Sequence, residues 1–137
     1  MASPNDVKVI SYQLANTAND WQGDTVVGHV FKAPEAADGG GIYILRAYYI
    51  DQAAHGAGTA FILRLVNYGT AGTLSEGTIG TVGGTADPVA AGVPEAFTLT
   101  AAQQYVDAGE WVVLEKDETN SSDPTRGCVV IEYLIGQ

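Results

Sequence analysis

"TAFILRLVNYGTAGT", residues 59–73, holds one long apolar run with a single arginine in its middle. Read with a two-residue period, Phe61, Leu63 and Leu65 fall on one face of a strand, and Ala60, Ile62, Arg64, Val66 and Tyr68 on the other. A strand whose second face meets water carries polar residues there. Here the second face is apolar too and includes Arg64, so something must cover it.

The same oddity recurs in two further runs. In "GIYILRAYYID" (41–51), strict alternation groups Ile42, Ile44, Arg46, Tyr48 and Ile50 against Tyr43, Leu45, Ala47, Tyr49 and Asp51. In "GCVVIEYLI" (127–135), Cys128, Val130, Glu132 and Leu134 oppose Val129, Ile131, Tyr133 and Ile135. Glu115 follows Trp111 and Val113 in the same manner. A charge set in an apolar stripe is costly unless paired. The two arginines and two glutamates are therefore expected to pair across strands or across a subunit boundary. Aromatic residues and arginine are favoured at interfaces. Tyr43, Arg46, Tyr48, Tyr49, Arg64, Tyr68 and Glu132 are accordingly the candidate interface residues. A symmetric homo-oligomer, most simply a trimer with one sheet against the three-fold axis, would supply the missing cover.

About eight strand candidates run along the chain: "VKVISYQL" (7–14), "DTVVGHVFKA" (24–33), residues 41–51, residues 59–68, the weak "GTIGTVG" (77–83), "EAFTLTA" (95–101), "EWVVLEKD" (110–117) and residues 127–135. Short strands at this spacing, with turn signals between them, predict an antiparallel β-sandwich or barrel. Only "TAAQQYVDAG" (100–109) offers a helical turn, which Gly109 would end. Three loops stand out: 33–41, the Gly/Thr/Ala-rich 69–94, and the polar 118–127 expected to close a hairpin. No repeat or linker divides the chain. The reading is one β-sandwich domain over 21–137, preceded by an N-terminal arm or edge strand over 1–20.

Composition narrows the function. The chain has 137 residues, and 16% are charged, against about 25% in ordinary domains. Partner-covered surface fits that low value. Six basic and sixteen acidic residues give a net charge of −10, and no Lys/Arg cluster exists for phosphate, so direct nucleic-acid binding is not expected. No apolar run approaches the roughly 20 residues of a membrane span. The opening "MASPNDVKV" lacks the pattern of a secretory leader, and one cysteine, Cys128, allows no intrachain disulfide. His29 and His55 are the two histidines; Asp51 and His55, four apart, straddle a turn and form no helical metal pair, and neither H-E-x-x-H, G-x-S-x-G nor a P-loop ending is present. Neither an enzyme nor a cofactor is expected.

Four segments in order carry a family likeness: "VFKAP" (30–34), "LVNYGTAGT" (65–73), "VDAGEWVVL" (106–114) and "GCVVIEY" (127–133). This layout resembles small virion proteins of tailed bacteriophages, of the jelly-roll capsid decoration or cement type, over roughly residues 20–137. The resemblance implies a jelly-roll β-sandwich, no catalytic residues, and a subunit made in the host cytoplasm. Such a subunit would bind the major capsid protein on the outer capsid surface and stabilise the shell. The alternative within the same resemblance is a receptor- or glycan-binding jelly roll of a tail or head fibre, with Trp21 as the main sugar-stacking candidate.

Overall fold

Among the described residues, the runs of β-branched and aromatic residues build ten β-strands: β1 (Lys8–Gln13), β2 (Thr25–Lys32), β3 (Ile42–Asp51), β4 (Phe61–Asn67), β5 (Gly77–Gly84), β6 (Pro94–Ala96), β7 (Thr98–Leu99), β8 (Tyr105–Val106), β9 (Trp111–Asp117) and β10 (Gly127–Ile135). The structure is a computed structural model that describes residues 6–14, 25–51, 61–73, 75, 77–84, 92–117 and 127–136. Trp21, His55 and the loop 118–126 lie outside the described residues.

Two antiparallel sheets pack face to face. The first runs β1-β10-β3-β6, with β8 also on β3; the second runs β2-β9-β4-β5-β7. β6 and β8 line the two ends of the same strand, at Tyr48–Ile50 and at Ile42–Tyr43 of β3. Between them the chain crosses to the second sheet, where β7 pairs with β5. With β6 and β8 counted as one interrupted strand, the pairs are first with last, second with next to last, and so inward to β4 with β5. That is a hairpin wound into two layers, the jelly-roll topology. The all-β sandwich expected from the sequence is therefore the fold. Each of the eight strand candidates is present, and β8 is added where a helical turn was expected. A 3-10 turn at Ala101–Gln103 precedes it, and Gly109 supplies the positive φ of 79° that leads into β9.

The core lies between the layers. Ile42, Ile44, Leu63, Leu65, Val112, Leu114, Val129 and Ile131 are all fully buried there. Phe31 of the second sheet stacks on Tyr133 of the first, with ring centroids 5.2 Å apart. β1 joins this frame as an edge strand of the chain's own first sheet, in continuous register with β10 from Lys8↔Tyr133 to Gln13↔Cys128.

One local irregularity alters which residues reach the core. The β3–β10 register passes from Arg46↔Glu132 directly to Ile44↔Tyr133, leaving Leu45 as an extra residue on β3. This bulge reverses the alternation part-way along the strand. Ile42 and Ile44 point inward before it, and Ala47, Tyr49 and Asp51 after it. Strict alternation had grouped Ile42 and Ile44 with Tyr48. The structure corrects that grouping, and it places Tyr49 in the core rather than on an outer face.

Candidate protein interface

The two outer faces of the sandwich differ in what covers them. On the second sheet, Val66 and Tyr68 of β4 and its exit meet Val113 of β9 in a small buried cluster, with Trp111 packed against it. The chain's own turn at 69–73 closes over the indole. Gly72 has φ 68°, and a Cβ there would lie 2.8 Å from Trp111 Cδ1. His29 donates through Nε2 to the Gly72 carbonyl at 2.8 Å, and its ring meets Trp111 edge-on at 5.3 Å. Asn67 Oδ1 accepts from the Gly69 amide at 2.8 Å, which pins the turn from its other end. At the end of "TAFILRLVNYGTAGT" the cover is thus Val113 and Trp111 of β9, with the strand's own "GTAGT" closing over the indole.

Arg64 sits in this region opposite Glu115, its register partner on β9, with Nη2 to Oε1 at 3.5 Å. Tyr68 donates its hydroxyl to the same carboxylate. Burial, reinforced by that hydrogen bond and the carboxylate's charge, pushes the Tyr68 phenol up to about 12. Arg64 and Tyr68 therefore belong to an intramolecular network. Because the folded state holds the Tyr68 proton more tightly than the unfolded chain, its stabilising effect is complete below the ordinary tyrosine value near 10. The effect disappears as pH rises through about 12. Urea unfolding between pH 9 and 12 is expected to show stability falling across that window, with a shallower fall in Tyr68→Phe.

The outer face of the first sheet is covered differently. Past the bulge at Leu45, β3 turns Arg46, Tyr48 and Ile50 outward. β10 contributes Cys128, Val130, Glu132 and Leu134, and β1 contributes Val9, Ser11 and Gln13. Rows across the sheet follow from the register: Val9–Glu132–Arg46, Ser11–Val130–Tyr48–Ala96 and Gln13–Cys128–Ile50–Pro94. At the far end Tyr43 stands between Leu134 and Tyr105. Val9 is 62% exposed and Tyr105 43%, while Tyr43, Tyr48, Ile50, Val130 and Leu134 are half-buried by one another. Arg46 donates Nε–H to Glu132 within this apolar field. That bond, with the carboxylate's charge, raises the guanidinium above its ordinary value. The expected cross-strand pairing of arginine and glutamate holds on both sheets. Among the described residues no chain segment packs over this face as the 69–73 turn packs over the other.

The structure thus brings four of the seven candidate residues, Tyr43, Arg46, Tyr48 and Glu132, onto one face. Arg64 and Tyr68 lie on the opposite sheet and Tyr49 between the layers. Ile50, the exposed Val9, and Cys128, Val130 and Leu134 of β10 also stand on the first face, outside the seven candidates. Their signal was present in the alternation of β1 and β10 and in the position of Ile50 two residues beyond Tyr48. Among the described residues no group of His, Cys, Asp and Glu is placed to hold a metal ion.

No family model matches the chain, and no curated protein matches it. Among solved structures, a chain of the T13 IBDV viral particle aligns with 94% of this chain at 9% identity and a TM-score of 0.25. The protein spans about a third (35%) of that chain's length. A likeness this slight carries no argument about role.

Proposed function

We propose that this protein is a structural virion subunit, a capsid decoration or cement protein that binds the major capsid protein shell and acts by burial of surface rather than by catalysis. The observation that carries the reading is the outer face of the first sheet. Over β3, β10 and β6 it is an apolar field around one ion pair, edged by Ser11 and Gln13 of β1, on a chain whose net charge is −10. Such a face suits contact with another protein, since aromatic groups and arginine supply area and direction while the unpaired charge is kept elsewhere. Each Å2 of apolar surface covered contributes about 25 cal/mol. Many copies on one shell make small contacts add up.

The sandwich scaffold supports the phage decoration resemblance without requiring it. The alternative, a glycan- or receptor-binding jelly roll, needs an open aromatic platform. Its candidate, Trp21, lies outside the described residues, and the Trp111 indole is no substitute, because the turn at Gly72 lies against it. The test is uptake of the purified protein by capsid shells that lack it. Saturable binding that makes the shells more resistant to heat supports the reading. Binding to host cells or glycans with no uptake by shells contradicts it.

A further inference from the structure

The two sheets end in four edges, and three of them are poorly suited to receive another strand. β2 is interrupted twice in its ladder with β9, between Val26 and Gly28 and between His29 and Phe31. β7 is two residues long. The edge made by β6 and β8 is split into pieces of three and two residues and contains Pro94. Bulges, short length and proline are the devices by which natural sheets block edge-to-edge pairing. β1 has none of these three, and its one charged residue, Lys8, stands at its first position. It is six residues long, contains neither Gly nor Pro, and pairs with β10 without a register shift.

The direction of its backbone groups follows from one bond. The Leu14 amide donates to the Gly127 carbonyl at 2.8 Å, so Leu14, Tyr12, Ile10 and Lys8 turn their backbone groups toward β10. Val9, Ser11 and Gln13 turn theirs to the free edge. Among the described residues no strand takes those groups.

We propose that the free edge of β1 is a strand-pairing site for β1 of a second copy of this chain, antiparallel across a two-fold axis. Such pairing is self-complementary, because the same three residues offer donors and acceptors in matching order on both sides. Two copies of a chain with net charge −10 repel overall, but Lys8–Gln13 bears no negative charge, so the paired strands themselves add no acidic repulsion. Three-fold association through this edge would require β1 to meet a different edge of its neighbour, and the other edges are the blunted ones. The inference is independent of shell binding, which uses the sheet face.

Ser11→Pro tests it. Proline at this position removes only a free-edge N–H and leaves the ladder to β10 intact. Sedimentation is expected to give twice the chain mass for the wild type and the single mass for Ser11→Pro, with circular dichroism unchanged. In parallel, hydrogen exchange at the Val9, Ser11 and Gln13 amides of the wild type is expected to slow about 10-fold between dilute and concentrated samples. This second readout stands even if Ser11→Pro fails to fold. A wild-type monomer or trimer at every concentration overturns the proposal. So does association that survives Ser11→Pro, or amide protection that does not change with concentration. Shell uptake retained by a monomeric Ser11→Pro separates the two readings. Loss of uptake in a wild-type dimer would count against shell binding alone.

Discussion

Lys116→Ala is expected to lower the stability of the fold by about 3–5 kcal/mol, or roughly 10–20 °C in Tm for a domain of this size. Lys116 is fully buried. It faces inward from β9, between Glu115, which faces out, and the end of the strand. Asp51, 1% exposed, faces inward from the last position of β3. Both lie at the end of the sandwich where β3 and β9 finish and β4 and β10 begin, as the pairs Asp51↔Gly127 and Ile62↔Asp117 require. An ammonium and a carboxylate both facing inward at this end would offset each other's cost of leaving water. Removing one leaves the other exposed to that cost in full. Burial first, then the Asp51 carboxylate, raises the Tyr49 phenol far above its ordinary value at the same end, so that hydroxyl stays protonated. Thermal unfolding of Lys116→Ala, Asp51→Ala and the double variant would check the account. The double variant is expected to cost less than the sum of the singles by about 1 kcal/mol or more. Additive losses, or a shift in Tm of under about 3 °C, would mean that the two charges do not share a compartment.

Tyr48→Glu is expected to weaken binding to shells by about 30-fold or more, the loss typical of an interface hot spot. Tyr48 stands at the centre of the first sheet's outer face, between Val130 and Ala96. A carboxylate there would have to be buried without a cation, since the Arg46 guanidinium already serves Glu132. The side chain points away from the core, so the fold is expected to lose little. The control is Glu115→Gln on the opposite sheet, expected to leave uptake unchanged while lowering stability through the loss of the carboxylate's charge beside Arg64 and Tyr68. Equal uptake by Tyr48→Glu and wild type would remove this face from the binding account.

How much of this was legible in the sequence depended on whether a residue's position is set locally. The strands at 41–51, 59–68 and 127–135 announce themselves through β-branched and aromatic runs, and on β1, β4, β9 and β10 strict alternation assigns the faces correctly. It fails on β3, because nothing local to Leu45 states that β10 will match two residues there with one. Tyr49 was misplaced for that reason alone. β8 was hidden because a two-residue strand has no period to read. Its existence depends on the distant β3, whose Ile44 amide donates to the Gln104 carbonyl while the Gln104 side-chain amide donates back to the Ile44 carbonyl. Arg64 and Glu115 were each recognisable as a costly charge in need of a partner, but their register and the turn that closes over Trp111 are tertiary facts.

The outer face of the first sheet carries its own probe, Cys128, the sole cysteine of the chain, half-buried between Gln13 and Ile50. The rate at which a maleimide alkylates this thiol, compared between free protein and protein bound to shells, reports directly on whether another chain covers the face. Alkylation that slows by about 10-fold or more on binding is the predicted result, since a covered thiol reacts only when the contact opens. The same rate in both states, with binding itself intact, would contradict the claim that this sheet meets the shell.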